Sequence, residues 1–232
     1  MTAEEKMSAL EALYAEWHAC QKCPLATPAG RVRKNVVFGS GNADARLVIV
    51  GEMPDLEGEA HGVPFWPKSV SGDLLDRFLQ SFGVSRDDVF LVDVVGCRAT
   101  EAENPTKNRA PTKDEVAACA PRVHQILEII DPYVILLLGE VAMKALTMEK
   151  GKVTALARDS DIPVVTAYTQ GRCLRVERQA IVTFHPAMLA RAGIDMAVGS
   201  DTHVAYKAFE KAIDLVRTYN QVYFNIPRGD TP

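Results

Sequence analysis

No stretch of this chain approaches the roughly 20 consecutive apolar residues that a membrane helix needs, so no bilayer-spanning helix is expected. A basic start followed by a short apolar segment is also missing. The opening MTAEEKMSALEALYAEW is acidic with apolar residues at helical spacing, which argues against a secretion signal and makes the cytoplasm the expected location. Positive charge is scarce: 26 Lys and Arg against 30 Asp and Glu give a net charge of −4. Blanket affinity for polyanions is therefore not expected, although Arg98, Lys107, Arg109, Lys113, Arg172 and Arg191 can still gather into a local basic face. Repeats, low-complexity tracts and linkers are absent. The 232 residues read as one domain over 1–220 with a tail at 221–232. Neither GSG (39–41) nor LGEVAM (138–143) forms a P-loop, which excludes nucleotide hydrolysis on that motif.

What is present is an alternation of greasy strands and amphipathic helices. Met7, Leu10, Tyr14 and Trp17 share a helical spacing and predict a first helix packed on the body through that face. VVF (36–38) reads as a short strand, GSGNADA as a turn, and RLVIVGEMP as a buried strand entering an irregular loop. SGDLLDRFLQSFGV is an amphipathic helix stopped at Gly83. DVFLVDVV and PYVILLLG are further buried strands, followed by strand-like IPVVTAY and QAIVTFHP. A capping box, Thr112 to Glu115, opens a long helix, and DTHVAYKAFEKAIDLVRTYN closes the chain as an amphipathic one. Strands with near-continuous apolar character, alternating with helices, indicate a mostly parallel sheet covered on both faces. Ligands of such sheets bind beyond the carboxyl ends of the strands, which singles out GEMPD, DVVGCR, LGEVA and TFHPAML.

Five cysteines are spread over the chain: Cys20, Cys23, Cys97, Cys119 and Cys173. Cys20 and Cys23 form a C-x-x-C on a loop, followed by proline, so two thiolates can face one metal. Cys97 follows a strand and Cys119 lies in the next helix, from where both can fold back toward that pair. Four thiolates suit a [4Fe–4S] cluster or a structural zinc, and spacing alone leaves these two, and separate free thiols, open. Cys173 reads as a buried hydrophobe. Asp93 poses a separate question, because it sits inside an apolar strand that should not bury a carboxylate without a partner.

The motifs CQKCPL, VVFGSGNADARLVIVGEMPDLEGEAHGVPF, DVVGCR, RAPTKDEVAAC, VILLLGEVAMKAL and TFHPAMLAR occur in the order seen in the iron–sulfur (family 4) uracil-DNA glycosylases, which the chain resembles over roughly residues 18 to 192. The resemblance implies a three-layer α/β/α fold around a four-stranded parallel sheet, and a 4Fe-4S cluster held by Cys20, Cys23, Cys97 and Cys119. It implies DNA as the partner, with a monomer hydrolysing the N-glycosidic bond of a flipped-out base. Phe65 matches the family's stacking phenylalanine, His185 the histidine that donates to the departing base, Arg191 a phosphate contact, and Gly39, Ser40 and Gly41 backbone donors to phosphate. The plainer readings are a core phenylalanine, a helix-capping histidine, a solvated arginine and an ordinary turn. The loop between Cys97 and Cys119 is several residues longer than the family's.

Two departures fall on the base pocket. The family's Gly-Glu-Ala-Pro-Gly is here Gly51-Glu52-Met53-Pro54-Asp55, with Glu52 the candidate catalytic acid and Asp55 adding bulk. The asparagine with which the family reads uracil is replaced by Asp93. An amide accepts from N3–H and donates to O4, whereas an ionised carboxylate only accepts. Such a mismatch costs about 10⁴ in discrimination in the best polar pockets. Three readings follow: a protonated Asp93 that mimics the amide, a carboxylate that accepts from an exocyclic amine and favours cytosine-like or altered bases, or a relative with altered or lost uracil activity. In the last case the chain becomes a glycosylase-fold module that binds modified DNA or a protein partner. A structural carboxylate paired with Arg98 is the plainest alternative.

Overall fold

The computed structural model describes residues 1–27, 36–147, 149–157, 164–170 and 175–224. Arg172, Cys173 and the end of the tail fall outside the described residues. The strands are β1 (Ser40–Gly41), β2 (Leu47–Gly51), β3 (Val89–Asp93), β4 (Val134–Leu138), β5 (Val164–Gln170) and β6 (Arg175–Thr183). They form one six-stranded sheet in the order β1-β3-β2-β4-β6-β5. The four inner strands run parallel, as expected, and β1 and β5 close the two edges antiparallel. Every residue of β2, β3 and β4 is buried. Five consecutive buried side chains without alternation are what a strand covered on both faces requires.

The helices are α1 (Ala3–Trp17), α2 (Leu56–His61), α3 (Val70–Ser81), α4 (Lys113–Ile130), α5 (Glu140–Leu146), α6 (Val153–Ala157), α7 (Pro186–Ala192) and α8 (Asp201–Phe224). α1 packs on α4 and α4 on α5, while α8 packs on α3 and α6 and lies against β2, β4 and β6. The result is a three-layer α/β/α domain. α4 opens with the expected capping box, Thr112 accepting from the Glu115 amide and Glu115 from the Thr112 amide. α3 ends where Gly83 takes a left-handed φ of 67°.

Four local expectations are corrected. The buried face of α1 is Lys6, Leu10, Leu13 and Trp17, whereas Met7 and Tyr14 are largely exposed. The helix is rotated because the Lys6 stem is buried while its ammonium donates to Asp44 (2.7 Å) and to the Ile130 carbonyl (2.8 Å). Val36–Phe38 is buried but joins no ladder, since pairing with β3 begins only at Ser40. The segment after GEMPD is not irregular: Asp55 caps α2, and Gly62 ends it in the left-handed region. α8 also runs four residues past Asn220 into the tail.

Chain order places β3 on one side of β2 and β4 on the other, so the sheet reverses its winding there. The crevice at such a reversal, beyond the strand ends, is where this architecture takes ligands.

Candidate active site

A cavity of about 710 Å³ lies at that crevice, lined from all four strand ends singled out by sequence. Glu52, Met53 and Asp55 come from the end of β2, Asp93 from β3, Gly139 and Glu140 from β4, and Phe184, His185 and Met188 from β6 and α7. Pro54 is buried and does not line it. The floor is set by a register pair, Gly51 opposite Asp93. A Cβ on Gly51 would fall 2.3 Å from Asp93 Oδ1 and 2.4 Å from Phe65 Cζ, so only glycine lets both side chains meet there.

Phe65 is buried yet lines the cavity, on a backbone with φ 50° that L-residues seldom adopt. Its carbonyl accepts from Arg86 Nη2 (2.5 Å), and the start of α3 backs the turn closely: a Cβ on Gly72 would lie 2.0 Å from the Trp66 carbonyl oxygen. The strain is therefore held in place by both sides of the loop.

His185 is the N-cap of α7, and its Nδ1 accepts from the Ala187 amide (3.2 Å). Burial, reinforced by the Arg191 charge, pushes its pKa down to about 4. The ring is neutral at physiological pH, and with Nδ1 accepting, its proton sits on Nε2. Nε2 is out of contact with solvent and has no hydrogen-bond partner among the described residues. Phe65 and His185 lie nearly parallel, with centroids 5.6 Å apart at 26°. Two stacking distances of about 3.4 Å do not fit in that gap, so a planar ring that stacks on Phe65 meets His185 at its edge.

Asp93 is buried at 2% exposure, and neither carboxyl oxygen has a hydrogen-bond partner among the described residues. Burial raises its pKa to about 8, Arg122 opposing and Asp55 and Glu52 adding to the rise. The pairing with Arg98 is not formed: that guanidinium bonds Asn108 Oδ1 (2.6 Å) and the Thr106 carbonyl (2.7 Å). Asp55 is held as the cap of α2, accepting from the Gly58 amide (2.7 Å) and Ser71 Oγ (3.3 Å). Glu52 is half-buried, its pKa raised by burial and restrained by Arg191. Arg191 is exposed and, with Lys152, supplies positive charge to the lining.

Two further arginines shape the site. Arg122, fully buried in α4, donates to the main-chain carbonyls of Phe38, Asp93 and Val94 and so fixes the end of β3. Nothing in its sequence context marks it. Arg109 lines the cavity, held by a two-pronged pair with the buried Glu115 (2.6 and 2.8 Å). Arg109 opens the RAPTKDEVAAC motif, and the capping box of α4 is the sequence signal for its partner Glu115.

Gly39, Ser40 and Gly41 lie in a separate groove between α1 and α2, beside Tyr14 and His61. Packing of β1 on β3 accounts for Gly41, since a Cβ there would lie 2.2 Å from the Val89 carbonyl oxygen. Cys20, Cys23, Cys97 and Cys119 line one small cavity. Cys119 Sγ accepts from the Gly96 amide (3.3 Å) and Cys20 Sγ from the Lys22 amide (3.5 Å). Burial pushes the Cys23 thiol up, with Cys119 and Cys20 among its neighbours. Among the described residues no group of three or more His, Cys, Asp or Glu is closed around a metal position.

The chain matches one family model over most of its length. The model of the uracil DNA glycosylase superfamily covers residues 38–209, and the chain belongs to that superfamily. Within it the chain is similar to the type-4 uracil-DNA glycosylase of Pyrobaculum aerophilum, 37% identical over 74% of this chain and 80% of that protein. It is similar to the type-4 enzyme of Thermotoga maritima, 37% identical over 74% and 78% of the two chains. The type-4 enzyme of Archaeoglobus fulgidus is 32% identical over 78% and 83%.

Proposed function

We propose that the protein hydrolyses the N-glycosidic bond of uracil or an altered pyrimidine in DNA, with the base flipped into the crevice beside Phe65. The observation that carries this reading is that Phe65, Asp93 and His185 line one cavity, and that the carboxyl of Asp93 and Nε2 of His185 have no hydrogen-bond partner among the described residues. Natively folded proteins rarely leave such atoms unpaired without a use for them.

The chemistry follows from the protonation states. As the bond between N1 of the base and C1′ of the sugar breaks, the electron pair leaves with the base and negative charge gathers on its O2. A neutral Nε2–H of His185, buried and without another partner among the described residues, is a fixed donor for that oxygen, and a hydrogen bond to developing charge is worth most where water is kept from the donor. The sugar becomes oxocarbenium-like, and the Glu52 carboxylate stabilises it, orients the water whose oxygen bonds C1′ and takes the proton that this water loses, which ends on the departed base anion. Phe65 holds the ring plane, and Arg191 takes a phosphate at the mouth. DNA supplies the substrate strand, and the flipped base is less costly to extrude where it is already unpaired.

The four thiols on one cavity, two of them already accepting main-chain N–H bonds, are a donor set that suits a 4Fe-4S cluster, and Cys20, Cys23, Cys97 and Cys119 would hold it. When bound, the cluster supplies a structural cross-link between the N-terminal loop and α4.

The test is base release from oligonucleotides carrying uracil, cytosine and modified pyrimidines, read as abasic product. His185→Ala is expected to lose about 10²- to 10³-fold in release while keeping its visible absorbance and helix content. Release at the wild-type rate removes His185 from the chemistry.

A further inference from the structure

The orphaned carboxyl of Asp93 carries the reading one step further. We propose that Asp93 recognises uracil as a neutral carboxylic acid, its carbonyl oxygen accepting from N3–H and its hydroxyl donating to O4. Recognition of the base then hangs on one proton. This rests on the glycosylase reading above and names how its pocket selects the base.

The geometry leaves that role free. The two oxygens are buried, belong to a residue that lines the cavity together with Phe65 and His185, and meet no donor among the described residues that would hold them as an anion. Arg122, the cation packed beneath from α4, gives its hydrogen bonds to the Asp93 main-chain carbonyl and its neighbours, not to the carboxyl. From the end of β2, Glu52 and Asp55 both face Asp93 with negative charge. Across the cavity His185 is neutral, and Arg109 is committed to Glu115. The remaining charged lining residues are of mixed sign, Lys152 and Arg191 against Glu140 and Asp201. Burial and two like charges thus outweigh one misdirected cation, and the proton is retained up to about pH 8. A neutral acid offers one donor and one acceptor, the same pair that an amide offers and that an ionised carboxylate lacks.

The experiment compares kcat/KM on a single-uracil oligonucleotide for wild type and Asp93→Asn from about pH 6 to about pH 9. The ratio of the two proteins cancels titration of the base and of the DNA. It is expected to be flat at the acid end and to fall about tenfold per pH unit above about pH 8. Inhibition by free uracil, which involves no turnover, is expected to weaken in the same window for wild type only. A ratio independent of pH across the range overturns the proposal, as does wild-type preference for cytosine over uracil at neutral pH. Uracil release by Asp93→Asn but not by wild type at any pH overturns it while leaving the glycosylase reading intact. Release by neither protein, from any base, removes that reading itself.

Discussion

At the scale of a residue, the unusual feature is a carboxyl placed where its charge is unwelcome. The pKa of Asp93 rises from 3.8 to about 8 on folding, so the folded state holds the proton more tightly than the unfolded chain does. For an acid raised in this way, the group costs nothing below pH 4. Its penalty grows through the window up to about pH 8, since the unfolded chain ionises freely and the folded one does not. Asp93→Asn is therefore expected to raise the thermal midpoint of the DNA-free protein at pH 7 by several degrees, reflecting on the order of 3 kcal/mol. That gain should shrink to nothing near pH 4, and melting curves across pH check it. Equal midpoints at pH 7 would mean the carboxyl is solvated or paired in solution. The sequence announced this residue, because an acid in the run FLVDVV breaks the pattern. Its surroundings were not legible, since they depend on where Arg98 and Arg122 point: Arg98 turns to its own loop, and Arg122 reaches the main chain.

At the scale of elements, the pocket is built by close contacts rather than by the length or propensity of any one segment. The strands were legible because long apolar runs leave little choice. α2 was not, because six residues carry no period, and only its caps, Asp55 and Gly62, define it. The face of α1 was misjudged because a lysine that buries its stem and finds Asp44 is invisible to hydrophobic periodicity. The junction of β2, β3 and the Phe65 loop depends on the missing side chain at Gly51. Gly51→Ala is expected to force Phe65 and Asp93 apart, lowering stability by about 1–3 kcal/mol. Base release should fall by about 10²-fold or more, because small displacements of positioning groups are amplified in rate. Denaturant melts and single-turnover kinetics on one preparation separate the two effects. Loss of stability with unchanged single-turnover rate would show that the pocket tolerates the added methyl.

At the scale of the whole molecule, the chain's start is tied to its middle. Trp17 Nε1 donates to Gln125 of α4 (3.0 Å), Lys6 reaches the Ile130 carbonyl at the end of α4, and the four cysteines draw the loop after α1 toward the start of that helix. Cys119→Ser is expected to abolish the visible absorbance of the proposed cluster and to lower the thermal midpoint by several degrees, because site occupancy and folding are coupled. An unchanged spectrum would place the chromophore elsewhere or deny it. The sequence showed the C-x-x-C and its order relative to the other two cysteines. Their convergence was supplied by the family resemblance and by the sheet that folds α4 back.

Arg122 stands one turn of helix beyond Cys119, its guanidinium clasping the main chain on which Asp93 is mounted. One helical turn thus joins the cysteine cavity to the main-chain carbonyl of Asp93. Whatever shifts that turn of α4 shifts the seat of the Asp93 side chain with it.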